Sequence, residues 1–193
     1  MITVQWAKRG DSEQLADFII EAGEDLVYTI TGYPRMEDAR RQLVRFVSAE
    51  DTRFSYRNCL TAEENGKMLG AALFYNASSL PALDGPVNAH LRSLGSTERL
   101  AVECKPGELY VDSIAVAQQA RGRGIAAMLL DAVCQQSAAA GLYRVSLLVD
   151  TQKPRVQALY QRCGFREDGT FTLAGHSYIR MLKEIPPSAP AGR

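Results

Sequence analysis

Residues 119–126 read QARGRGIA, two glycines one position apart with an arginine before each and an apolar run behind them. Glycine has no Cβ, so its backbone can approach a phosphate closely. Amides at a helix N-terminus also present the end of the helix dipole that attracts anions. The chemistry predicted here is phosphate binding, for a dinucleotide, a mononucleotide or coenzyme A. Gly122, Gly124 and Ala127 satisfy the loose dinucleotide pattern GxGxxA, and Asp150 closes the next predicted strand, where a ribose-binding acid belongs. Three features oppose that reading. Residues 117–121 separate the first glycine from the preceding strand. The unit starts beyond residue 105, leaving too little chain for a doubly wound sheet. Arg121 and Arg123 suit several phosphates better than one pyrophosphate between two nucleosides. The mononucleotide P-loop, GxxxxGK[ST], is absent.

The elements that must position this loop follow from hydrophobic periodicity. Residues 2–7 alternate and predict a first strand. Asp11 or Ser12 caps a helix over 13–22, with Leu15, Phe18, Ile19 and Ala22 on one face. A loop holding Tyr28, Gly32, Tyr33 and Pro34 leads to a second helix over 37–47. Residues 57–63 and 67–75 predict a hairpin through Glu64-Asn65-Gly66, since Asn-Gly favours a tight turn. Residues 76–107 read as a long connection, either a substrate lid or a surface excursion. A strand over 108–116 follows, then a helix over 122–140 stopped by Gly141. A strand over 143–149 is apolar enough to be central. A helix over 154–162 carries Pro154 in its first turn, with Gly164 behind it. Residues 165–173 and 176–185 form a last strand pair. The order predicts an α/β fold with a mixed sheet.

The spacing Gln119-x-x-Gly122-x-Gly124-x-Ala126, opening a helix after a strand, resembles the cofactor loop of the GNAT superfamily of N-acetyltransferases. Leu159-Tyr160-Gln161-Arg162-Cys163-Gly164-Phe165 is similar to the family's LYxxxGF segment and lies one strand and one helix downstream. The two motifs together are far more specific than either alone. The resemblance covers roughly residues 1–185 and implies one domain there, with a mixed central sheet of about seven strands and helices on both faces. Residues 186–193, PPSAPAGR, are expected to be a disordered tail.

What the resemblance implies is acetyl transfer from acetyl-CoA to a primary amine, of a small molecule or of a peptide or protein, by direct attack in a ternary complex. Gln119, Arg121, Gly122, Arg123, Gly124, Ile125 and Ala126 would hold the coenzyme A pyrophosphate. The main chain of Ile114, Ala115 and Val116 would pair with the pantetheine arm, and an N–H near Ile114 would polarise the thioester carbonyl. Tyr160 would be the acid that protonates the leaving thiolate. Glu108 is the first candidate base, Asp112 the second and Glu103 the third; many relatives deprotonate the amine through water. By strand alternation, Glu108, Tyr110 and Asp112 share one face. Arg155 stands where relatives often carry an asparagine that contacts the cofactor arm. Here it either approaches a cofactor phosphate or stays at the surface.

The acceptor would be framed by residues 24–35, part of 76–107 and residues 171–178, where Glu24, Asp25, Tyr28 and Tyr33 are candidates to meet a cationic amine. His176 is read as a polar strand end. Cys163 is read as a structural thiol, because no histidine lies near it in sequence to make it a nucleophile. A rival from another class is a non-catalytic acyl-CoA-binding regulatory module on the same fold, which would tolerate loss of Tyr160.

Bulk composition sets outer limits. Lys plus Arg and Asp plus Glu are equal at 22 each, without the basic excess that non-specific nucleic-acid binding needs. The N-terminus lacks the apolar core of a signal peptide, and no stretch has the length and apolarity of a membrane span. Four dispersed cysteines and two histidines predict no metal site, and free thiols suit a cytoplasmic location. The expected partners are acetyl-CoA and an amine, with a homodimer compatible, and neither nucleic acid nor membrane.

Overall fold

A computed structural model describes residues 1–186; the tail expected over 186–193 lies, from residue 187 on, outside the described residues. Seven strands form one sheet: β1 (Thr3–Trp6), β2 (Cys59–Glu64), β3 (Lys67–Asn76), β4 (Leu109–Val116), β5 (Arg144–Asp150), β6 (Arg166–Leu173) and β7 (His176–Glu184), in the order β1-β2-β3-β4-β5-β7-β6. Every neighbouring pair is antiparallel except β4 and β5. The β2–β3 turn has positive φ at both Asn65 (52°) and Gly66 (75°), the backbone a tight two-residue hairpin demands.

Helices cover both faces. On one, α1 (Ser12–Gly23), α2 (Leu26–Thr31) and α3 (Met36–Ser48) bury Leu15, Ile19, Val27, Leu43 and Phe46 against Ala71 and Leu73. On the other, α6 (Ile125–Ala139) and α7 (Pro154–Arg162) bury Leu129, Leu130, Val133 and Tyr160 against Phe74, Val111, Leu147 and Met181. A fully buried leucine or valine contributes about 1.5–3 kcal/mol, so these two layers fix where the sheet lies. The expected mixed sheet with helices on both faces is the observed one.

Two segments differ from their sequence reading. The loop expected after the first helix contains α2, a helix of six residues ended by Gly32 in the left-handed region. It is too short for a periodic signal and is held by packing Val27 into the core. The long connection over 76–107 contains α4 (Leu80–Leu83) and α5 (Gly85–Ser93), each with a proline in its first turn. Residues 94–108 carry no regular element and run back to β4.

Candidate active site

β4 organises the site through two departures from a regular ladder. Its parallel pairing to β5 runs only from Leu109↔Val145 to Val111↔Leu147. Beyond that point β4 continues to Val116 along β3, and β5 continues to Asp150 along β7. The sheet therefore opens between residues 112–116 and 148–150, leaving backbone groups on the facing edges without a strand partner. In its pairing to β3, Leu73 faces Ser113 and Phe74 faces Val111, so Asp112 is the extra residue of a β-bulge. The bulge shifts the side-chain alternation by one. Leu109 and Val111 point into the α6 core, and so do Ile114 and Val116 after it. Glu108, Tyr110 and Asp112 occupy the opposite face, as alternation predicted.

On that opposite face lies a cleft of about 650 Å³. Its wall comes from the α1–α2 corner (Glu24, Asp25), residues 98–103, the bulge (Asp112, Ser113), the end of β5 (Asp150) and the β6–β7 hairpin (His176, Tyr178). Six carboxylate residues line it, Glu24, Asp25, Glu98, Glu103, Asp112 and Asp150, against three cationic residues, Arg53, Arg99 and Lys153. Two of the three cations are engaged: Arg53 by Asp84 and Lys153 by Glu24. In a chain with equal numbers of acids and bases, this is a local concentration of negative charge.

Two carboxylates at the floor are each held by a phenol. Tyr110 Oη donates to Glu103 Oε2 at 2.5 Å, and Tyr75 Oη donates to Asp112 Oδ2 at 2.7 Å. The two rings pack 5.7 Å apart as cross-strand neighbours. Burial, then the neighbouring Asp112 charge, pushes the Glu103 carboxyl up to about 7, against the pull of the Tyr110 hydrogen bond and of Arg53. A carboxylate that titrates near neutrality can accept a proton and release it again.

Glu108 is placed elsewhere. It is 0% exposed and is not among the residues that line the cleft. Its Oε1 accepts from Arg180 Nη2 at 2.5 Å, and its Oε2 accepts from Ser146 Oγ at 2.8 Å and the Lys105 N–H at 3.0 Å. Arg180 is also buried and reaches Asp168 Oδ2 at 3.3 Å from Nε. Glu108 thus serves as the counter-charge of a buried arginine.

At the other side of the opening, Gly122 and Gly124 have φ of 78° and 75°. Gly124 is the N-cap of α6, and a Cβ at either glycine would meet nothing within 4 Å. The first helical amides, Ile125 to Ala127, have no carbonyl a turn before them to bond, so they face outward unpaired. A loop with two left-handed residues, followed by helix amides without intrahelical partners, presents donors of the kind an anion accepts.

The family model for the GNAT acetyltransferases matches residues 18–165. This chain belongs to the GNAT acetyltransferase family. It is an acetyl-CoA-dependent N-acetyltransferase. Among solved structures, a crystal structure of an acetyltransferase is 28% identical, covers 95% of this chain and 100% of its own, and superposes with a TM-score of 0.78. An N-acetyltransferase from Staphylococcus aureus Mu50 is 20% identical over 93% of this chain and 99% of its own, with a TM-score of 0.79. The PaiA N-acetyltransferase from Thermoplasma acidophilum, solved with coenzyme A, shares the fold at 14% identity and a TM-score of 0.57 over 95% of this chain and 99% of its own. No curated sequence matches the chain.

The remaining predicted residues of the acetyltransferase fall into place unevenly. Ile114, Ala115 and Val116 lie on the open edge of β4, although the Val116 carbonyl accepts from Arg121 Nε at 3.2 Å. Gln119 sits exposed in a 3-10 turn, Gln118–Ala120. Arg121 turns back to Glu21 of α1, and Arg123 donates from Nη2 to both carboxylate oxygens of Glu64 at 2.9 Å, so both guanidinium groups are engaged away from the loop. Ile125 is buried and Ala126 half-buried at the start of α6, and Arg155 is exposed in the first turn of α7. Tyr160 is 6% exposed, packs on Phe165, and its hydroxyl finds no hydrogen-bond partner among the described residues. Burial raises its pKa, so the phenol keeps its proton at neutral pH. His176, read as a polar strand end, stands on the cleft wall, whereas Tyr28 and Tyr33 do not line it. Arg53, Asp84 and Tyr75 escaped the sequence reading. No local pattern marks them, since Arg53 and its partner Asp84 are 31 residues apart.

Proposed function

We propose that this acetyltransferase moves acetyl from acetyl-CoA directly to a primary amine that enters the acidic cleft as a cation, with Glu103 as base and Tyr160 as acid. The observation that carries the reading is that Asp112 and Ser113 line the cleft at the point where β4 parts from β5. A reactant in the cleft and one lying along the open edge of β4 would meet at that bulge.

Acetyl-CoA supplies the acyl group already activated as a thioester. The open β4 edge at Ile114–Val116 and the amides at the start of α6 would hold it, and the free glycine positions leave room for phosphate there. The carboxylates of the cleft attract the ammonium form of the acceptor. Asp112, fixed by Tyr75, orients it. Glu103 Oε takes the proton that must leave before the nitrogen has a lone pair to donate. Tyr160 Oη, protonated at neutral pH and without a partner of its own, gives a proton to the departing sulfur, and the second proton that the nitrogen sheds as the amide forms restores the phenol. Burial, with Asp131 adding to it, keeps the Cys163 thiol protonated, which argues for direct transfer over a covalent route.

Thiol release from acetyl-CoA against a panel of primary mono- and diamines, amino acids and lysine peptides tests the reading. Turnover on at least one amine is expected. Tyr160→Phe should lower kcat by about 10²-fold, as loss of a general acid does, with the KM for acetyl-CoA nearly unchanged. Acetyl-CoA binding without turnover on any amine would favour the non-catalytic module, and an unchanged kcat in Tyr160→Phe removes the acid role.

A further inference from the structure

Arg53 is the largest of the wholly buried side chains, at 2% exposure. A guanidinium at that depth needs full compensation, because an unpaired buried charge costs several kcal/mol. Its compensation reaches three separate segments. Nε and Nη2 donate to Asp84 Oδ1 and Oδ2, each at 2.6 Å, in a fork-to-fork pair. Nη1 and Nη2 both donate to the Ala101 carbonyl, at 3.2 and 3.1 Å. The guanidinium lies over the Tyr75 ring, 5.5 Å from its centroid.

Each partner leads to the cleft. Ala101 is two residues before Glu103 in a stretch with no helix or strand of its own. Tyr75 is the residue whose hydroxyl holds Asp112. Asp84 joins α4 to α5 and anchors the excursion from which residues 98–103 return. Lysine could not replace this arrangement, since a point donor cannot bind a carboxylate in two places, bridge to a carbonyl and lie flat on a ring.

We propose that Arg53 is the positioning residue of the acceptor site: it ties the segment carrying Glu103 to the tyrosine that orients Asp112, without itself exchanging a proton. Its bearing on catalysis rests on the reading of Glu103 as the base. The groups that face Glu103 are Tyr110 and Asp112 from β4, Tyr75 from β3 and Tyr178 from β7, with Asp84, the adjacent Cys104, and Arg53 as the cation. Asp112 and Asp84 make a proton on Glu103 harder to remove; Arg53 makes it easier.

The test reads that proton directly, by carbon-13 NMR of side-chain-labelled glutamate, with Glu103→Gln assigning the resonance. Arg53→Met should move the Glu103 midpoint upward from about 7, by about one pH unit, the usual effect of losing a close opposite charge. The double variant Arg53→Met/Asp84→Asn leaves no orphaned buried charge, so it keeps the fold available, and a smaller upward shift is expected. Simple loosening would move the midpoint the other way, toward an ordinary glutamate, as water entered. A downward or unmoved midpoint in the folded double variant overturns the role of Arg53. If the midpoint rises but the acid limb of kcat/KM for the best amine of the panel stays where it was, Arg53 keeps its hold on Glu103 and the assignment of Glu103 as base falls instead.

Discussion

On the α6 side of the β4–β5 opening, the site is made of main chain: two glycines at positive φ, the amides behind them and the unpaired edge of β4. On the α1 side it is made of side chains, carboxylates and phenols brought together from residue 24 to residue 178. The first half offers a fixed set of main-chain donors, which the proposed reading gives to a phosphate, so its requirements are short-range and local in sequence. The second half depends on where five separated segments come to rest, two of which, residues 24–25 and 98–103, lie outside the sheet. In the proposed reaction the base and the acceptor-orienting Asp112 belong to that second half, held by Arg53 and the two tyrosines, while the acid, Tyr160, comes from α7 on the other face.

The comparison breaks most sharply at Glu103. Glu103→Gln should lower kcat/KM for the amine about 10²–10⁴-fold and abolish an acid limb near pH 7, while the KM for acetyl-CoA stays close to wild type. A stability measurement supplies an independent check. The folded carboxyl sits at about 7 against an ordinary 4.5, so the folded chain holds this proton more tightly than the unfolded chain does. Its contribution to stability is complete below about pH 4.5 and is lost as pH rises through 7. Glu103→Gln removes that loss and should be more stable than wild type at pH 8, by up to roughly 3 kcal/mol, with little difference at pH 4.5. Urea unfolding at the two pH values measures this, and equal stability at pH 8 would contradict the raised carboxyl.

Glu108 sharpens the distinction between a carboxylate that works and one that holds the sheet together. It and Glu103 are five residues apart, yet one sits on the cleft and the other is enclosed by Arg180, Ser146 and the Lys105 amide. Glu108→Gln removes the nearer counter-charge of the buried Arg180 and leaves it only the longer contact to Asp168, which should cost about 3 kcal/mol of stability. The acid limb of the rate profile should not move. A folded Glu108→Gln protein that lost activity together with that limb would return the base to Glu108.

How far the sequence carried the argument follows the same division. The hairpin at Asn65-Gly66, the Gly122–Gly124 loop ahead of α6, and α7 from Pro154 to Arg162 are legible because a few neighbouring residues dictate the backbone. The bulge at Asp112 is fainter: two successive polar residues, Asp112 and Ser113, interrupt the alternation of LYVDSIAV, but a frayed strand end would read the same. Glu108 looked like the base because its position relative to the glycines is local, but Arg180, 72 residues away, decides what it faces. Glu103 ranked third because nothing beside it in sequence reveals the burial and the Asp112 charge that raise its pKa.

Gly124 tests the main-chain half, where the expected effect is smallest. With φ at 75° and open space where a Cβ would stand, Gly124→Ala loses only the left-handed backbone preference, about 1–2 kcal/mol of local strain. Gly124→Glu adds the same strain and also puts a carboxylate at the N-terminus of α6, where it competes for the amides and repels phosphate. If those amides bind the pyrophosphate, the KM for acetyl-CoA should rise about tenfold more in Gly124→Glu than in Gly124→Ala, a charge effect of about 1.4 kcal/mol, with kcat for the amine similar in both. Equal KM values in the two variants would mean that the loop is shaped for its own turn, and that the phosphate binds elsewhere along the β4 edge.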